Sequence, residues 1–324
     1  MTNRRLPAVI AVVLCALFNL AAPAAAAETY PTKPVKTFVP FPAGTGMDIL
    51  ARAISDQFQA VTGQTFIVEN RVGAGSIVAM QALSRSKPDG YTIAVSPGVS
   101  ASMYLFKDVP FDPVKDFERV TQLVKVPYFL LINPEKTPVN SVQELTAWLK
   151  AKKGRVTFGS PNAPSRVAAL LYTQKAGIDA QMILYKGMIE AMRDLQGGDY
   201  DFIFSDSGFA QGPMRSGKVK ALAVTLPERV KIAPNVPTMA EGGIPGIDLY
   251  GWIGIYLPAG GPPDLPDRLA KLINEATARP EMQKFYFDNG YVPAPSNPKD
   301  FTAFEAENFK IWADLAKLAG IEPQ

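Results

Sequence analysis

Short apolar runs alternate with amphipathic stretches along most of the chain, and this alternation restricts the possible folds more than any other feature. Val35 to Pro40 reads as a strand. Asp48 to Thr62 reads as a helix, because Ile49, Leu50, Ala53, Ile54, Phe58 and Val61 recur with a 3.6-residue period. Thr65 to Glu69 is a second strand. Ile77 to Ser84 is a second helix, closed by the turn Lys87-Pro88-Asp89-Gly90, and Thr92 to Val95 is a third strand. A βαβαβ order of this kind predicts a mostly parallel sheet covered by helices.

The pattern then recurs. Strands are expected at Tyr128 to Ile132, Val156 to Phe158, Met182 to Leu184, Asp201 to Ser205 and Ala221 to Thr225. Helices are expected at Ser141 to Ala151, Ser165 to Ala176 and Ile189 to Gln196, with Ser141 and Glu144 at capping-box spacing. After a proline- and glycine-rich stretch from Pro234 to Gly246 come an apolar run, Gly251 to Leu257, and helices at Pro266 to Ala278 and Pro298 to Ala319. The 324 residues suit two domains.

The first residues have a separate role. Arg4 and Arg5 precede an apolar stretch from Leu6 to about Leu20, and Ala21 to Ala27 ends in small residues. This is the pattern of a secretory signal peptide over 1–27, cut after Ala27. The apolar core is short for a membrane span, which needs about 20 residues. The single cysteine, Cys15, lies in this segment after Leu14, which does not suit a lipidation site. The chain beyond Ala27 therefore folds without disulfides. Arg4 and Arg5 also supply two of the three net positive charges, leaving 31 basic and 30 acidic side chains. A nucleic-acid partner would need a basic surplus and a basic patch, and the sequence has neither. The cluster from Lys150 to Arg155 reads as the solvated end of a helix.

There is no histidine. Without His, and with no cysteine beyond Cys15, the secreted chain has no Ser-His-Asp triad, no thiol nucleophile and no His- or Cys-ligated metal. No metal and no cofactor are expected, and the chemistry favours binding over catalysis.

The candidate binding residues lie where predicted strands end. After the first strand the loop reads Phe41-Pro42-Ala43-Gly44-Thr45-Gly46-Met47-Asp48 and runs into a helix. A helix start offers unpaired N–H groups that suit an anion, and Asp48 is expected to be its N-cap. The same residues also fit an ordinary capped βα connection. In the second half, Ser160-Pro161-Asn162-Ala163-Pro164-Ser165-Arg166 repeats the arrangement, with Ser165 as expected N-cap. Arg166 either pairs with a carboxylate in bidentate fashion or is a solvated first-turn residue. Tyr185 and Lys186, Asp206, and Ser96 follow three further strands. Asp206 either orients an amide or a water, or caps the next turn. Ligands of open α/β sheets bind at these carboxyl ends, and two facing lobes would bring the loops together in a cleft.

The sequence resembles the Bug (TctC-like) family, the periplasmic receptors of tripartite tricarboxylate transporters. The resemblance rests on Tyr30-Pro31 and Lys33-Pro34, Phe41-Pro42-Ala43-Gly44 through Asp48 with Ala51-Arg52, and Glu69-Asn70-Arg71 with Gly73-Ala74-Gly75. It continues in Pro88-Asp89-Gly90-Tyr91, Tyr185-Lys186-Gly187, Gly217-Lys218 with Ala221 to Thr225, Pro237-Thr238 with Glu241, and Pro258-Ala259-Gly260. It implies an α/β, two-lobed periplasmic-binding-protein fold of the type II, Venus-flytrap kind, with a mixed sheet in each lobe. Residues 28–128 and 252–324 would form lobe 1 and residues 129–251 lobe 2. It implies a monomeric solute receptor, not an enzyme, that takes a small carboxylate and hands it to integral membrane subunits. A receptor reporting to a membrane sensor kinase, or a secreted carboxylate-processing enzyme using Asp48 or Asp206, are the alternatives. By position, the family's first-loop contacts carry to Phe41 through Asp48 and its second-lobe contacts to Ser160 through Arg166. Two departures stand out: Thr45 replaces a common glycine, and Arg166 stands near a common histidine. Arg166 is therefore expected to hold a second carboxylate, making the ligand a dicarboxylate, with aromatic dicarboxylates among the candidates.

Overall fold

The computed structural model describes residues 30–99, 108–152 and 154–318. The expected signal peptide and Cys15 lie outside them. The amino-terminal half opens with strand β1 (Val35–Val39), helix α1 (Gly46–Thr62), β2 (Phe66–Asn70), α2 (Ile77–Ser84) and β3 (Thr92–Pro97). β1 lies between β2 and β3 and is parallel to both. The alternation in sequence has thus produced the parallel βαβαβ unit it predicted.

The next strand, β4 (Phe117–Ile132), is 16 residues long. Only Tyr128 to Ile132 was legible as strand. Its earlier residues pair antiparallel with β9 (Tyr250–Pro258), up to Pro127 opposite Tyr250. From Tyr128 onward it pairs with β7 (Phe202–Asp206) and β8 (Lys220–Val224) instead. Pro127 has no N–H to give a ladder. It sits where the strand leaves one set of partners for another, which is why a proline inside a strand is tolerated here.

Beyond β4 come α3 (Val142–Ala151), β5 (Val156–Ser160), α4 (Ala163–Ala176), β6 (Ala180–Leu184) and α5 (Met188–Gly197). Ser141 caps α3, its Oγ accepting from the Glu144 amide, while the Glu144 carboxylate accepts from the Asn140 amide. β7 and β6 flank β5 in parallel. A helix the sequence did not reveal, α6 (Ser207–Arg215), follows β7; Gly208, Gly212 and Pro213 conceal it. After β8 and β9 the chain forms α7 (Leu265–Thr277), the equally unforeseen α8 (Pro280–Asp288), β10 (Val292–Pro293) and α9 (Pro298–Leu318). The order across the sheet is β2-β1-β3-β9-β4-β7-β5-β6, with β8 and β10 also on β4. The result is two mixed-sheet halves joined through β4 and β9.

Packing joins the halves as well. One continuous apolar core runs from Phe38 and Met80 through Tyr256 and Phe301 to Phe158, Tyr172 and Phe202. Helix α9 lies across it and packs on β4, α4 and α7. Beneath α9 the Glu305 carboxylate is buried and accepts from Arg119 Nε at 2.9 Å, Tyr256 OH at 2.6 Å and Trp252 Nε1 at 3.3 Å. The Arg119 guanidinium also donates to the carbonyls of Val114, Phe117 and Pro113. Such a buried ion pair is tolerated because its remaining donors and acceptors are satisfied.

Candidate functional site

The carboxyl ends of β1, β2 and β3 lie side by side, as do those of β5, β6 and β7. Each half therefore gathers its βα turns at one edge, where α/β sheets bind ligands.

The turn after β1 is held rigidly. Asp48 is not the N-cap; α1 begins at Gly46 with Thr45 as cap residue, and Asp48 sits on the third helical position. From there its buried carboxylate accepts from the Gly44 amide at 2.9 Å, Asn70 Nδ2 at 2.8 Å and Arg52 Nε at 3.0 Å. Asn70 Nδ2 also donates to the Phe41 carbonyl at 2.9 Å. The bond from Arg52, reinforced by those from Gly44 and Asn70, lowers the Asp48 carboxyl to about 2. These bonds clamp Phe41 to Asp48 from both ends. The amides of Gly46, Met47 and Asp48 begin the helix and have no acceptor within it. Ala43, Gly44 and Gly46 are exposed, and Gly44 takes the left-handed φ of +82° that the turn requires.

The turn after β5 is built differently. Asn162, not Ser165, is the N-cap of α4, its side chain accepting from the Ser165 amide at 2.9 Å. Ser165 is fully buried, and its hydroxyl donates to the Phe204 carbonyl of β7, so it is no open donor. Pro164 has no N–H. Of the first three helical positions only Ala163 keeps an uncommitted amide. The positive charge of this turn comes from Arg166, half-buried, whose Nε donates to Ser160 Oγ at 3.2 Å. Among the described residues nothing engages its two terminal nitrogens, and bidentate pairing with a carboxylate requires such a pair.

The other expected residues separate into two groups. Asp206 is the N-cap of α6, accepting from the Phe209 amide at 3.3 Å. Burial pushes its carboxyl up to about 6. The Tyr185 ring packs 5.7 Å from Tyr200, and burial, then Asp194, raise its hydroxyl to about 12. Lys186 is exposed, and Ser96 is fully buried in β3 with its Oγ unpaired.

Tyr291, just before β10, escaped sequence reasoning. Its hydroxyl donates to the Gly46 carbonyl at 3.4 Å, and burial, with the Asp206 charge beside it, raises it to about 12. It therefore touches the first-half turn and feels the charge of Asp206 of the second half. The neighbouring Gly290 backs onto Ser207: an added Cβ there would lie 2.7 Å from the Ser207 Cβ. Nothing in the local sequence distinguished Tyr291 from an ordinary core tyrosine. Thr225 closes the base of the same region. Its amide donates to the Tyr128 carbonyl at 2.9 Å and its hydroxyl to the Leu249 carbonyl, joining the two crossing segments.

A polar groove of about 780 Å³, lined by Lys150, Lys152, Arg155 and Asp179, lies at the amino ends of β5 and β6, opposite the turns. Lys152 there is paired with Asp201 at 2.5 Å. This groove is remote from the βα turns at the carboxyl ends of β5 and β6.

The profile of the tripartite tricarboxylate transporter family receptor, TctC, matches residues 50–321. The chain belongs to this family. BugT of Bordetella pertussis is 32% identical over 99% of both chains. Three solved structures share the architecture. Rpa4515 of R. palustris with adipate has a TM-score of 0.79 and 25% identity, over 91% of this chain and 100% of that one. The periplasmic binding protein BugD has 0.75 and 32%, over 91% and 100%. MatC of Rhodopseudomonas palustris with bound malate has 0.71 and 26%, over 88% and 99%. The chain is thus a solute-binding receptor of the TctC type, as its motifs implied. Among the described residues no helix is long and apolar enough to cross a membrane.

Proposed function

We propose that this receptor works in the periplasm as a monomer, captures a dicarboxylate between its halves and delivers it to integral membrane subunits without chemical change. The lobes are divided near residues 128/129 and 251/252, where β4 exchanges partners and β9 begins. One carboxylate sits on the Gly46–Asp48 amides and the other on Arg166. The observation that carries this reading is the unpaired guanidinium end of Arg166 on the turn corresponding to the clamped α1 start. Adipate and malate, bound by Rpa4515 and MatC, are both dicarboxylates. Closure follows because a ligand held from both sides stabilises only the closed state. The absence of histidine, with the single Cys15 in the expected signal peptide, supports binding without turnover.

Calorimetry with adipate and malate tests the assignment on Arg166→Ala. Hydrogen bonds to charged groups contribute roughly 1.5–3 kcal/mol. The affinity for the better dicarboxylate is therefore expected to fall about tenfold to a hundredfold. Unchanged affinity would remove the second carboxylate from the proposal.

A further inference from the structure

Asp206 presents a contradiction within an anion site. It caps α6 at the carboxyl end of β7, next to Ser207, which lies against Gly290; the hydroxyl of the following Tyr291 donates to the carbonyl of Gly46, the first residue of α1. A carboxylate is thus built into the region where the receptor gathers its anion-binding groups. The titratable groups facing it are Tyr128, opposite it in the β4–β7 ladder, and Tyr291 from the other half; neither is cationic at neutral pH. Its hydrogen-bond donor is an α6 amide, that of Phe209. Besides α6, two helices pack against the same strand. On α4, Arg166 is held at Ser160, and on α5, Arg193 pairs with Asp194 at 2.9 Å.

We propose that ligand capture is coupled to protonation of Asp206, which makes this carboxyl the residue that decides the charge state in which the site accepts an anion. The inference rests on the receptor reading above. Like charges sharing a low-dielectric site cannot both remain ionised without strong cost. An incoming carboxylate therefore draws one proton from solvent onto an Asp206 oxygen, and the complex gains one positive charge beyond that of the ligand. The protonated carboxyl then has an O–H to donate to the ligand, where the ionised form only accepts. Burial has already moved the free carboxyl to about 6, so neutralisation near neutral pH requires little further shift.

The sign follows from linkage. Below the free carboxyl's midpoint the site is already protonated and affinity is flat; above it, affinity falls up to tenfold per pH unit. Between pH 6 and 8 the dissociation constant is expected to rise about fifty-fold. Titration with adipate at pH 7, in two buffers of different ionisation heat, is expected to show uptake of close to one proton per ligand. Asp206→Asn keeps a good N-cap for α6. It is expected to abolish the uptake and flatten the pH profile, which a merely structural role would leave in place. Adipate binding to the parent protein without proton uptake, or an undiminished pH slope in Asp206→Asn, would overturn the inference and leave the receptor reading intact. Absence of binding by both adipate and malate at every pH from 6 to 8 would overturn both.

Discussion

Replacing Glu305 by alanine tests whether the polar cluster under α9 holds the two halves' shared core. The carboxylate is 1% exposed and Arg119 5% exposed. Removing it strands a buried guanidinium charge and leaves Tyr256 OH and Trp252 Nε1 without their acceptor. Breaking a buried pair from one side costs about 3–5 kcal/mol. The carbonyls of Pro113, Val114 and Phe117 still solvate Arg119, which places the expectation near the lower end, about 3 kcal/mol. At about 2–4 °C per kcal/mol for a chain of this size, the melting temperature should fall by roughly 6–12 °C. Urea unfolding followed by circular dichroism gives the free energy directly. The double variant Arg119→Met, Glu305→Leu should recover most of the loss, because an apolar pair of similar volume replaces both charges. A Glu305→Ala variant within about 1 kcal/mol of the parent, or a double variant worse than the single one, would refute the reasoning.

Three further outcomes are expected. Asp48 is held below its unfolded value, so its contribution to stability is complete above about pH 4 and lost as pH falls toward 2; Asp48→Asn should lower the melting temperature at pH 6 and show a shallower decline between pH 4 and 2. Gly98→Ala places a Cβ 2.1 Å from the Trp252 ring and should cost about 1–3 kcal/mol, read by chemical unfolding. Thr225→Val keeps the volume but leaves the Leu249 carbonyl unpaired at the crossing; a loss of about 1–3 kcal/mol is expected in the same assay.

The sequence showed elements whose apolar period and local punctuation agree. α1 was visible because six apolar residues kept one period, and α3 because Ser141 and Glu144 marked its start. α6 was hidden because its cap, Asp206, belongs visually to the preceding strand and its body carries Gly208, Gly212 and Pro213. The first eleven residues of β4 were hidden because its polar residues point into a network, Arg119 and Thr121 among them, rather than to solvent. At the site, residue types were readable but their roles were not. Asp48 and Ser165 have the composition of N-caps, yet both stand on the third helical position, and only the fold shows which carbonyl or amide each reaches. Asn70 stood among the motifs as one residue of Glu69-Asn70-Arg71; its bonds to Phe41 and Asp48 depend on β2 lying beside β1. Tyr291 lies 245 positions from Gly46, and no local pattern reports such a contact.

Strand β4 carries one further consequence. Because its two ends are stitched into different ladders and one oily interior extends past both, neither half can lose its order without unravelling a strand of the other. Heat or urea should therefore melt the molecule in a single step, and the ligand's hold on either half should be felt as protection of the whole.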